Sequence, residues 1–301
     1  MLQQPLKTDG QEPAADGADR QTGRLSAPGI HKNKTKKDSG TLTMPTLLKR
    51  LLVLPLLLIA SLSHADPQQL QQLHEFRSEA FKAGTYLLID NNLYERVREP
   101  GNREIYNGAL QQMDSLLRQM NNPGNLRQLY SDFVKLIREL EDLPDGEEYY
   151  SLATVNRIMM AHGKLENAAA ELYEAEVPGS PANLVALQRQ SIDISRILLL
   201  YENNMFSSVG VYFLPSREGL FGELDTRISE GSNQLKQLMP DHKDTFDRLD
   251  KQYSFIQPRL INYHSDWVPT IAAFYLTKNT QTLDDLSREQ ASLAEASAST
   301  N

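Results

Sequence analysis

Along most of the chain the apolar residues recur at steps of three and four, the spacing that lines one face of an α-helix. The clearest run is Leu126, Leu129, Phe133, Leu136, Leu140 and Leu143. A second is Phe246, Leu249, Tyr253, Ile256, Leu260 and Tyr263, and a third is Leu184, Leu187, Ser191, Ile194, Leu198, Tyr201 and Met205. Each stripe needs neighbouring helices to cover it. Turn chemistry interrupts the pattern at Pro100-Gly101-Asn102, Asn121 to Gly124, Pro144-Asp145-Gly146, Pro178 to Pro181, Pro215-Ser216 and Pro240-Asp241. The breaks predict eight helices, over about 68–98, 103–121, 125–142, 147–176, 182–209, 217–238, 242–263 and 267–296. Short connections make consecutive helices antiparallel, so the predicted class is all-α and bundled. Pro258 predicts a kink in the seventh helix, because it lacks a backbone donor.

The two halves of this list read alike. Leu87-Leu88-Ile89-Asp90-Asn91-Asn92-Leu93-Tyr94 aligns with Leu199-Leu200-Tyr201-Glu202-Asn203-Asn204-Met205-Phe206 at a shift of 112. Arg103, Glu104, Gly108 and Leu110 then meet Arg217, Glu218, Gly222 and Leu224 at 114, and the stripes beginning at Leu126 and Phe246 match at 120. Shifts that grow only at turns are what a duplicated unit with loop insertions produces. The expectation is two tandem antiparallel four-helix bundles, residues 66–178 and 179–301, the second ending in a disordered tail. One irregular helical array is the alternative.

Ahead of the helices lies a different kind of segment. From Met44 a short basic stretch (Lys49, Arg50) leads into an apolar run from Leu51 to Leu62 and then Ser63-His64-Ala65. This is the layout of a secretory signal cleaved after Ala65, since signal peptidase accepts only small side chains at the two positions Ser63 and Ala65 occupy. The run is well short of the roughly 20 residues that cross a bilayer, so no stable membrane anchor is expected. Residues 1–43 are polar and rich in Gly, Pro and Ser. They read either as an over-long start or as a disordered extension carrying the basic tract Lys32, Lys34, Lys36 and Lys37.

Removing residues 1–65 changes the charge. It takes away nine Lys/Arg and five Asp/Glu, leaving 22 basic and 34 acidic residues and a net charge of −12. Such a surface repels phosphate backbones and anionic lipid, which argues against nucleic acid or a membrane surface as partner. The chain has no cysteine, which excludes disulfides, thiolate metal sites, a cysteine nucleophile and a lipid anchor. Export without cysteine fits a periplasmic protein of a Gram-negative cell whose helical core needs no covalent staple.

Candidate chemistry is sparse. Asp90 and Glu202 stand four residues before Tyr94 and Phe206 and share a helix face with those rings. A carboxylate on a partly apolar face needs a partner, and Arg103 and Arg217 lie near the starts of the following helices. Two readings stay open: a structural acid and arginine staple in each half, or a polar pocket between helices. In the pocket reading Arg103 or Arg217, with Asn91 and Asn92 or Asn203 and Asn204, would hold a small polar or anionic ligand. His74, His162, His242 and His264 lack the helical spacing of a metal site, and His162 falls on the apolar stripe of Val155, Ile158 and Leu165, where a core role is expected. No nucleophile elbow, phosphate loop or dinucleotide fingerprint is present, so neither a cofactor nor catalysis is expected. Trp267 reads as core or cap packing. The apolar connection from Val209 to Pro215 reads as folded over a bundle end, with a docking edge as the alternative. The function expected is a non-enzymatic periplasmic protein that binds another envelope component, with a small-ligand sensor as the second possibility.

Overall fold

Asp66 opens the first helix. Its carboxylate accepts from the backbone amide of Gln68 at 3.0 Å while Pro67 occupies the first helical position, the combination that starts helices well. A computed structural model describes residues 66–91, 100–144, 148–207, 219–263 and 267–299. The export signal and the whole segment 1–65, and the apolar connection 209–215, lie outside the described residues. Among the described residues the protein is all-helical, with α1 at Pro67–Asp90, α2 at Pro100–Gln119, α3 at Leu126–Glu141 and α4 at Glu148–Glu176. There follow α5 at Ala182–Ser207, α6 at Leu220–Leu238, a 3-10 turn at Pro240–His242, α7 at Lys243–Ile261 and α8 at Pro269–Ser299.

Most ends fall within a few residues of the predicted ones, and two differ for visible reasons. The first helix stops at Asp90, where Asn91 turns its side-chain amide back onto the Leu87 carbonyl at 2.9 Å. Asparagine competes for backbone groups in this way and favours helix ends. At the other terminus α8, expected to end near 296, runs through Ser299. The hydroxyls of Ser292, Ser297 and Ser299 each bond the carbonyl four residues earlier at 2.9 Å.

The helices divide into an outer and an inner class. On α2, α3, α6 and α7 one stripe is buried, for example Phe133, Ile137 and Leu140 on α3 or Phe246, Tyr253 and Leu260 on α7. By contrast α1 and α5 are wrapped nearly all round: α1 packs on α2, α4, α5 and α8, and α5 packs on α1, α6 and α8. Gly84 permits part of this. A Cβ there would lie 3.2 Å from Leu199 of α5 and 3.3 Å from His162 of α4, so three helices approach one another at this point. The apolar interior forms two clusters. One is built from α1 to α4 with Leu184, Ile192, Leu199 and Ala291 added, and the other from α5 to α8 with Ile89 added.

Candidate functional site

Of the residues singled out from the sequence, Asp90 and Arg103 come together. Asp90 is buried at the end of α1, and the Arg103 guanidinium on the first turn of α2 reaches its Oδ2 at 3.7 Å. The same end of the helices holds Tyr106, which donates to Glu141 at 2.7 Å. Burial pushes the Tyr106 phenol up, and the Glu141 carboxylate adds to it. Burial also works against a charged Glu141, but the bonds from Arg138 and Tyr106 outweigh it and hold that carboxyl below its usual range. Asn91 caps α1. Glu202 and Asn203 are buried and Asn204 partly so on the last turns of α5. Asn92 and Arg217 lie outside the described residues, so the second acid and arginine pair cannot be placed.

A larger polar assembly was not singled out from the sequence. It runs through the seam where α1, α4, α5 and α8 meet, and α1 supplies it with Gln71, His74, Arg77 and Ser78, all buried. Asp284 of α8 accepts from Ser78 at 2.6 Å and from Ser191 of α5 at 2.6 Å, and its Oδ1 lies 2.8 Å from His74 Nε2. Burial opposes the charge on Asp284, but His74 and the two hydroxyls outweigh it and hold the carboxyl below its usual range. An ionised carboxylate only accepts, so Nε2 of His74 carries the proton. Glu166 of α4 accepts from Arg77 at 2.6 Å and 3.1 Å and from Arg196 at 3.2 Å. Burial is again outweighed, here by the two arginines, and Glu166 is held low. One turn earlier along α1, Tyr173 donates to Gln188, Gln188 to Gln71, and Ser287 to Gln71, at 2.6–2.9 Å.

This seam was legible only as an anomaly. Ser191 interrupts an apolar stripe, and a hydroxyl at a core position is a sign that another polar group waits for it. His162 behaves as its stripe predicts: it is buried between Phe81 and Phe133, its Nε2 3.1 Å from the Ala80 carbonyl, and burial lowers it to about 4. Trp267 stacks on Tyr201 with centroids 4.4 Å apart.

Ser78 and Ser191 donate to Asp284 rather than to the imidazole. Among the described residues no group of three or more His, Asp or Glu side chains could hold a metal ion. Asp284 does reach an open cleft of about 560 Å³ between α1, α2 and α8, lined in part by Glu75, Glu79, Lys82, Glu104 and Arg288. Burial raises the Glu79 carboxyl there, against the pull of Lys82.

No family model, curated protein or solved structure matches this chain.

A last feature faces solvent. On α7 and α8 the rings of Phe255, Tyr275 and Phe274 touch in sequence, with centroids 5.2 Å and 5.3 Å apart. Phe255 is 53% exposed, Phe274 61% and Ile271 46%. Arg259 lies over the Phe255 ring at 5.7 Å.

Proposed function

We propose that the chain is exported to the periplasm, loses residues 1–65, and acts there by binding another envelope protein rather than by catalysis. The observation that carries the binding reading is the exposed aromatic ridge of Phe255, Tyr275 and Phe274. Large rings left in water cost free energy unless a partner covers them, and aromatic and arginine side chains are the usual anchors of protein interfaces. Export is supported by the signal from Met44 and by Asp66: cleavage after Ala65 leaves the cap of α1 on the mature chain. N-terminal sequencing should read Asp66-Pro67-Gln68.

The mature protein is, in this reading, a duplicated four-helix unit whose halves meet along α1 and α5. At a shift of 118, α4 and α8 share one burial register: Val155 with Ala273, Ile158 with Leu276, His162 with Thr280, Leu165 with Leu283 and Glu166 with Asp284 are all buried. At 120, Leu126 with Phe246, Phe133 with Tyr253 and Leu140 with Leu260 are buried likewise.

The test is a photo-crosslinking amino acid placed at position 274 in cells, with position 135, the exposed counterpart of Phe255 at a shift of 120, as control. One stoichiometric protein adduct is expected from 274 and none from 135. Absence of an adduct at 274 would sink the proposal. The cleft beside Asp284 favours a second reading, a small polar ligand, since its volume lies within the range of small-molecule sites. With four carboxylates against Lys82 and Arg288, it would suit an amine-bearing ligand better than the anion expected at Arg103 or Arg217.

A further inference from the structure

The charge around the aromatic ridge runs against the rest of the protein. Residues 251–263 and 267–283 contain no Asp or Glu, and their charged residues are Lys251, Arg259 and Lys278. Arg248, Lys251, Phe255 and Arg259 follow one another at steps of three and four along α7, and Ile271, Phe274 and Lys278 do so along α8, so the cations lie on the same helix strips as the exposed apolar side chains. Arg248, Lys251 and Lys278 are exposed, and among the described residues none of the three enters an ion pair. Basic side chains elsewhere commonly do: Arg157 with Glu139, Arg227 with Asp193, and Lys236 with Asp247 and Asp250. In a mature chain with 34 acidic and 22 basic residues, three cations in acid-free stretches are the less expected arrangement, and Arg248 adjoins them between Asp247 and Asp250, whose carboxylates pair with Lys236.

We infer that the α7/α8 face docks an acidic, partly apolar segment of a partner protein, an inference that rests on the binding reading above. Charges further away than about 8 Å are screened at physiological salt, so a short segment lying on the ridge meets the local positive field and not the net charge of −12. An extended polyanion differs in this respect. A bilayer surface or a nucleic acid reaches beyond the patch and meets the acidic remainder of the molecule. The ridge also has a fitting shape. Contacts of Phe255 with Tyr275 and of Asn279 with the Leu249 carbonyl set α7 and α8 antiparallel, and a pair of surface helices offers a groove for a third.

The full chain is titrated, by fluorescence anisotropy, into a synthetic amphipathic helix with leucine on one face and glutamate along its flanks. A second peptide carries lysine in place of glutamate. The glutamate peptide is expected to bind, more weakly as sodium chloride is raised, with K251E/K278E weakening it by about ten-fold or more and K251R/K278R leaving it near wild type. Equal binding of both peptides, or indifference to K251E/K278E, overturns the inference. So does co-sedimentation with phosphatidylglycerol and phosphatidylethanolamine vesicles that is lost in K251E/K278E, which would make lipid the occupant. The crosslink at position 274 separates the two levels: its absence defeats the binding reading itself, whereas an adduct that survives K251E/K278E defeats only the acidic partner.

Discussion

Two helix pairs, α3/α4 and α7/α8, are alike toward the interior and unlike toward water. Inward, each sends one buried carboxylate, Glu166 or Asp284, into the seam against α1 and α5. Outward, α3/α4 carries Lys135, Glu139 and Arg157, with Arg157 and Glu139 paired at 3.0 Å. At the positions reached by the same shifts, α7/α8 carries Phe255, Arg259 and Tyr275. An interior constrained by packing tolerates little change, since a lost partner leaves a buried polar group stranded. A surface position is free to exchange an ion pair for a ring.

The comparison predicts its largest effects inside. Glu166→Ala leaves Arg77 and Arg196 facing each other without their acid and should cost about 3–5 kcal/mol in urea unfolding. Asp284→Ala strands His74, Ser78 and Ser191 and should fall in a similar range. A near-neutral result at either position would break the correspondence between the two acids. Next comes His162, which in α8 corresponds to Thr280. Its folded pKa of about 4 lies below the ordinary 6.5. Between these values the unfolded chain takes up a proton that the folded chain refuses, so stability falls as pH drops from about 6.5 and levels off below about 4. The total is about 3 kcal/mol, and a flatter slope is expected in His162→Gln.

Smaller effects lie at the surface. Arg103→Ala removes a half-exposed partner of buried Asp90 and should cost about 1 kcal/mol or less, discounted for solvent screening. If it also abolishes a thermal shift produced by a polar metabolite while the fold survives, the pocket reading of Arg103 gains over the staple. Arg157→Ala should move stability by under about 1 kcal/mol. The smallest change is expected from exchanging the outer faces: Phe255→Lys with Phe274→Asn should leave the unfolding midpoint within about 0.5 kcal/mol. A marked loss of stability there would mean that the rings serve the fold rather than a partner.

How much of this was legible depended on which helices were read. The outer helices announce themselves, because each buries one stripe and the steps from Leu126 to Leu143 and from Phe246 to Tyr263 stay in phase. The inner helices show less: α5 carries the run from Leu184 to Met205 with Ser191 inside it, and α1 offers no such run. With neighbours on several sides, α1 and α5 bury polar and apolar residues alike, and Gln71, His74 and Arg77 look like solvent-facing positions until a partner some 90 to 216 residues away is brought to them. Asp90 and Arg103 were found because they stand only 13 residues apart in the chain, one at the end of α1 and the other at the start of α2.

The sequence by itself determined the helical class, most helix limits and the acidity of the chain after residue 65, since each depends on neighbours a few residues apart or on composition. Tertiary structure alone decided which charges are buried. It set Glu166 between two arginines and Asp284 among a histidine and two serines, and it left three large apolar side chains in water beside cations that enter no ion pair among the described residues. Burial and pairing belong to distances across helices, and no local pattern contains them.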